Sequence, residues 1–296
     1  MGAAGAFCGG RKIWFIPACA LVLAVSFAAV GFAAETKSSD RLSELIKLVG
    51  LDTAFNHAAA GMKAGADQAL ANTSLNAADQ EKVLSAWSAA ADAAFAPETL
   101  RRDFLRAMDG ELNKADLDVI VAFFRTPLGA RMTALENART AAGPDAPLRQ
   151  AGELTAQLKS EPERAQVLKL MESSLRMAEI ATDLAFNLGR ATAIGMAAAD
   201  EKTTTLPDEA IQVIDRALQK MRPAIAAQLK ERVALSIAYT YREASIPELR
   251  QYLAFLTSPA GKKLYGTMLP ALHGALIKAG GEFGHALMRE LGKERA

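Results

Sequence analysis

Three histidines, His57, His273 and His285, are the side chains of this 296-residue chain best suited to metal or acid–base work. Glu282 and His285 stand three apart, the spacing that sends a carboxylate and an imidazole from one helix face toward a metal. A di-iron bundle needs two such pairs and two further glutamates, and the chain has one pair. His57 has Gly61 one turn on and reads as a surface histidine. The two cysteines, Cys8 and Cys19, lie near the N-terminus, which leaves the rest of the chain without thiol chemistry or disulfides. "IPAC", ending at Cys19, is misplaced for a lipoprotein box, because the apolar run continues past the cysteine. Gly-x-Ser-x-Gly, a phosphate-cradling glycine loop and His-Glu-x-x-His do not occur. Scattered acids leave paired-carboxylate hydrolysis as the enzymatic reading that spacing allows. No catalytic, cofactor-binding or metal-binding residue is expected, and no cofactor.

Helices must position whatever function there is. Alanine abounds and aromatics make up 6% of the chain, a mix that favours helix over strand. Helical periodicity runs through nearly every segment. Asn76 with Asp79, Asn113 with Asp116, Ser160 with Glu163 and Ser245 with Glu248 read as helix starts, the last three as capping boxes. Pro97 opens a helix, and Pro223 restarts or kinks one. The stretch "TAAGPDAPLRQ", Thr140 to Gln150, marks a linker.

Arg11 and Lys12 precede an apolar run of 22 residues, Ile13 to Ala34. A basic start, an apolar core and small residues describe a secretory signal. Gly31 and Ala33 place cleavage before Ala34, giving a signal peptide over 1–33. If uncleaved, the run is long enough to span a bilayer, with Arg11 and Lys12 on the cytoplasmic side. The membrane is expected as a partner through that segment alone. With 34 basic and 33 acidic residues, the chain has no basic excess to attract nucleic acid.

One phrase occurs twice. "FFRTPLGARM" carries Phe123, Thr126, Pro127, Gly129 and Arg131; "FLTSPAGKKL", 132 residues later, carries Phe255, Ser258, Pro259, Gly261 and Lys263 in register. The upstream caps Asn113/Asp116 and Ser245/Glu248 keep the same offset. The residue before a proline avoids the α region, so each phrase should end one helix and cap the next. Glycine in that first turn permits close helix approach. Arg131, Lys262 and Lys263 gain nothing from a helix N-terminus and should be solvated or paired with an acid across the corner. Two similar multi-helix units follow, 34–143 and 160–296, joined by a linker over 144–159. Near the C-terminus Leu269, Leu272, Leu276, Ala279, Phe283 and Ala286 form a heptad seam, with Gly274, Gly280, Gly281 and Gly284 beside it. It reads as a tightly packed internal helix, or as a seam for self-association or for docking an envelope protein.

The capped stretch "ELRQYLAFLTSPAGKKLYGTMLPAL" resembles domain of unknown function 2059, a family of secreted helical proteins of Gram-negative bacteria. The second copy, roughly 232–275, is the closer likeness; the first, roughly 100–143, departs at Thr126, Leu128 and Ala130. The resemblance implies an all-helical envelope protein and brings no catalytic residue. The expectation is an all-α helical bundle of two similar units, periplasmic, acting as a non-catalytic binding or structural component of the envelope. The alternatives are a hydrolase using carboxylates and a carrier of a small apolar ligand. Convergent acids in a cleft would favour the hydrolase, an exposed apolar groove over a filled core protein binding, and a closed cavity between the units the carrier.

Overall fold

A computed structural model describes residues 38–70, 75–199 and 206–293. The signal peptide expected over 1–33 lies outside them. Helices take up nearly all of the described residues, which contain no strand. In chain order they are α1 (Ser38–Leu48), α2 (Leu51–Leu70), α3 (Ala77–Ala94), α4 (Pro97–Met108), α5 (Lys114–Phe124), α6 (Pro127–Ala141), α7 (Ala146–Arg149), α8 (Ala151–Ser160), α9 (Pro162–Leu175), α10 (Met177–Ala198), α11 (Asp208–Thr240), α12 (Ile246–Thr257) and α13 (Pro259–Lys293). Among the described residues no helix is long and apolar enough to cross a membrane.

Most helix starts follow their local chemistry. Asn76 caps α3 by accepting from the Asp79 amide, and Pro97 opens α4. Asn113 with Asp116 and Ser245 with Glu248 each close a full capping box at α5 and α12. Ser160 does not: it is the last residue of α8, where its hydroxyl donates to the Gln157 carbonyl, and α9 starts at Pro162 without a side-chain cap. Proline at the first helical position needs no amide partner, which is why α9 starts there. The expected linker, 144–159, is itself helical, forming α7 and most of α8. Pro223 lies inside a continuous α11. Between α9 and α10 the chain breaks at Arg176, which adopts a left-handed conformation with φ 51° and no glycine or proline to announce it.

The centre of the bundle is α13, packed on α10, α3 and α4. Its heptad seam is occupied within the chain: Leu276, Ala279, Phe283 and Ala286 are buried. Phe283 meets Trp87 of α3 edge-on at 4.9 Å, and Trp87 donates its indole N–H to the Met62 carbonyl of α2 at 2.9 Å. On the α10 side the backbones nearly touch. A Cβ at Gly284 would lie 2.1 Å from the Thr192 carbonyl oxygen, and one at Gly195 2.1 Å from that of Gly281. Lys278 of α13 pairs with Asp103 of α4 at 2.6 Å, which holds that carboxyl below its ordinary value. A single apolar cluster runs from Leu42 to Leu287.

The two repeated phrases form two helix corners of the same construction. Thr126 Oγ1 donates to the Phe123 carbonyl at 2.7 Å and accepts from the Gly129 amide at 3.0 Å. Ser258 Oγ donates to the Phe255 carbonyl at 2.7 Å and accepts from the Gly261 amide at 3.1 Å. A Cβ would lie 2.4 Å from the Phe123 carbonyl oxygen at Gly129, and 2.1 Å from that of Phe255 at Gly261. The likeness is that of the corners. Beyond them α6 ends at Ala141, whereas α13 continues to Lys293.

Replacing Gly129, Gly261 or Gly284 by alanine drives a methyl group into backbone and should cost about 1–3 kcal/mol each in chemical denaturation. Gly266→Ala, where a Cβ meets nothing within 4 Å, should instead stabilise the protein by about 0.5–1 kcal/mol. Equal effects at all four positions would contradict the close approaches.

Candidate functional site

The two corners face each other. Phe123 of α5 stacks on Phe255 of α12, with ring centroids 3.6 Å apart and planes 1° from parallel. Phe124 meets Phe255 edge-on at 5.2 Å. Arg131 of α6 crosses to the second corner, pairing with Glu248 Oε1 at 2.6 Å and donating to the Glu243 carbonyl at 3.0 Å. Glu248 thus caps α12 and bridges the corners; hydrogen bonds from Ser245, with Arg131 adding to them, hold its carboxyl below its ordinary value. Lys262 and Lys263 stay exposed, so the two basic positions of the repeat have different fates.

Behind this contact lies a cavity of about 80 Å3. α6 supplies Glu136 to its wall, α9 Met171 and Leu175, and α10 Met177 and Ile180. α11 supplies Ser236, Ile237 and Thr240, with Tyr241 just past its end. α12 adds Tyr252 and Leu256, and α13 adds Tyr265 and Leu269. The walls are mostly apolar, and polarity is gathered at Glu136. The Tyr241 hydroxyl donates to Glu136 Oε1, and the Tyr252 hydroxyl donates to the same oxygen at 3.0 Å. With the Tyr252 proton committed to the carboxylate, Tyr265 is the donor in the 3.0 Å bond between the two phenols.

Burial opposes charge at Glu136. It pushes the carboxyl up to about 7 from an ordinary 4.5, although the bonds from Tyr241 and Tyr252 pull the other way. Burial likewise raises Tyr241, Tyr252 and Tyr265 above the ordinary phenol range, so all three stay protonated donors. Two buried arginines brace the walls from outside the cavity. Arg139 donates to Ser236 Oγ and to the Gly143 carbonyl, both at 2.9 Å, tying α6 to α11. Arg164 donates to the carbonyls of Tyr241 at 3.1 Å and Ala244 at 2.8 Å, fixing the turn that presents Tyr241.

Sequence reading picked out the corners and missed the cavity beside them. Two signals were present. Glu136 lies on the stripe Gly129, Met132, Thr133, Thr140, a polar residue at three-and-four spacing on the buried face of α6. Three of the four tyrosines fall within the 25 residues from Tyr241 to Tyr265. The histidines lie elsewhere. His57 and His285 are exposed, and Glu282 sits 3.9 Å from Lys278 instead of joining His285 in a site. His273 is half-buried, and that burial depresses its pKa. Among the described residues no group of three His, Cys, Asp or Glu side chains could hold a metal.

Fold and site together define an all-α bundle with a pocket whose wall holds a hydrogen-bonded carboxyl–tyrosine cluster. Residues 98–157 match the family described as "Uncharacterized protein conserved in bacteria (DUF2059)". The matched stretch runs from α4 into α8 and contains the first corner and Glu136. It falls on the copy judged the weaker likeness by its corner residues; the second copy, 232–275, lies outside it. The matched stretch continues through the turn after α6 into α7 and α8, where the second copy has the uninterrupted α13. No curated protein and no solved structure matches the chain.

A carboxyl that binds its proton more tightly folded than unfolded makes stability fall as pH rises between the two values. Here that window runs from about 4.5 to about 7. The loss across it should be about 3 kcal/mol. Glu136→Gln keeps an acceptor for the two phenols and removes the titration. Denaturant melts at pH 5 and pH 8 should show the variant gaining on the wild type at the higher pH. A constant difference between the two would mean that Glu136 titrates normally.

Proposed function

We propose that this chain is an exported, non-catalytic binding protein of the cell envelope that holds a small, largely apolar ligand in the Glu136 cavity. The observation that carries the reading is the cavity itself: about 80 Å3, walled largely by methionine, leucine and isoleucine, with a hydrogen-bonded carboxyl–tyrosine cluster in its lining. Interior space of this kind costs stability, because its lining atoms lack partners across the gap. Hydrophobic pockets with a few convergent polar groups are the usual form of a small-molecule site. Its walls come from α6 and from α9 to α13, so helices far apart in the chain converge on it. A carboxylate-based hydrolase needs a second acid, and the described lining residues offer only Glu136.

Export rests on the basic-then-apolar segment before Ala34 and the small residues that end it. We also read the two corners as copies of one ancestral corner, on the strength of their matching caps and glycines.

One preparation tests the binding reading and the location together. Protein recovered from a periplasmic extract should begin at Ala34. Under xenon pressure its crystals should show the gas among Ile237, Leu256 and Leu269, with less in Leu256→Phe. Retention in the cytoplasm with the N-terminal segment intact would contradict export, and a cavity that takes no xenon would contradict ligand binding.

A further inference from the structure

Resting on that reading of the cavity, we propose that its ligand is a small organic ammonium ion, a primary amine on a short apolar body, with its nitrogen against Glu136 and the tyrosine oxygens. The count of donors and acceptors carries this choice. Tyr241 and Tyr252 donate to Glu136, Tyr265 donates to Tyr252, and the Thr240 hydroxyl donates to the Ser236 carbonyl at 2.7 Å. All four hydroxyl protons are thereby committed, while their oxygens keep lone pairs. Ser236 Oγ accepts from Arg139 and keeps one proton to give. An anionic head would find a single spare hydroxyl donor and a carboxylate opposing it. An ammonium head brings three donors and no acceptor, and meets acceptors together with a countercharge.

Charge on the surrounding elements agrees. Besides Glu136, α6 carries Arg139 one turn away, held by Ser236 and the Gly143 carbonyl. On α9, Arg164 is held by Glu161 and by the carbonyls of Tyr241 and Ala244. Neither arginine lines the cavity, and α10 faces it with Met177 and Ile180. The titratable side chains that line the cavity from the end of α11, from α12 and from α13 are the three tyrosines. Among the described residues no lysine, arginine or histidine lines the cavity to neutralise Glu136 from inside, and a cationic ligand fills that role. Size limits the body. An apolar cavity of about 150 Å3 holds benzene, so one of about 80 Å3 suits three or four carbons.

The test is an NMR titration of the full mature protein with n-propylammonium, 1-propanol and propionate, following the tyrosine ring signals. The amine should bind at least tenfold tighter than the alcohol at pH 8, and propionate should leave Tyr241, Tyr252 and Tyr265 unmoved. The amine's entry requires Glu136 to be ionised. Its apparent Kd should therefore weaken about tenfold for each pH unit below about 7 and level off above it. This dependence is read on the wild type and needs no variant to fold. Glu136→Gln, with its folding checked by melting, should abolish both the preference and the pH dependence. An alcohol that binds as tightly as the amine, binding of propionate, or an amine affinity flat across pH would each overturn the ammonium assignment, and xenon occupancy would leave the cavity reading standing. Failure of all three probes overturns the assignment as well, and xenon exclusion alongside it removes the cavity reading too.

Discussion

The contact between the two helix corners is the constraint on which the rest of the site depends. Each corner is rigid by itself, because a hydroxyl spans from the last turn of one helix to the first turn of the next and a glycine lets the backbones close. Stacking Phe123 on Phe255 and pairing Arg131 with Glu248 joins the two corners into one unit. That fixes the direction of α6 relative to α12. Glu136, two turns beyond Gly129 and on the same face, is thereby carried onto the hydroxyls of Tyr241 and Tyr252. Arg139 and Arg164 hold the same arrangement from behind, using carbonyl and hydroxyl acceptors near the end of α11.

What results is a balance between desolvation and hydrogen bonding. Two phenol donors stabilise the charged carboxyl, yet burial outweighs them. Filling the space with aliphatic side chains would relieve the cost of both the void and the buried charge. The chain keeps a carboxyl, three phenols and a gap there, while the crossing of α10 and α13 is packed until carbonyl oxygens occupy the place of missing side chains. Tight packing in one part of the core thus sits beside a gap with buried polar groups in another, and the fold is less stable there than it need be.

The sequence disclosed what is settled within a few residues. The boxes at Asn113 and Ser245, the prolines opening α4, α6 and α13, and the two glycines are local devices, and each sits where its chemistry requires. The seam on α13 was legible as an apolar stripe, but its partner was not, because the helices that cover it lie far away in the chain. The carboxyl–tyrosine cluster is further from view. Glu136 is separated by 105 residues from Tyr241 and by 116 from Tyr252, and spacing cannot express such a pairing. Local signals also misled: Ser160 and Glu163 have capping-box spacing, yet Ser160 closes α8 and α9 starts at Pro162 without a side-chain cap. Arg176 ends a helix in a left-handed conformation for which its residue type gives no warning.

The most direct measurement is the titration of the Glu136 carboxyl carbon by NMR, in the wild-type protein and in Phe255→Ala. If the corner contact sets the burial of this carboxyl, the wild type titrates near pH 7 and the variant, still folded, moves back toward 4.5. A wild-type carboxyl that titrates near 4.5, or a variant in which it stays near 7, would contradict the account.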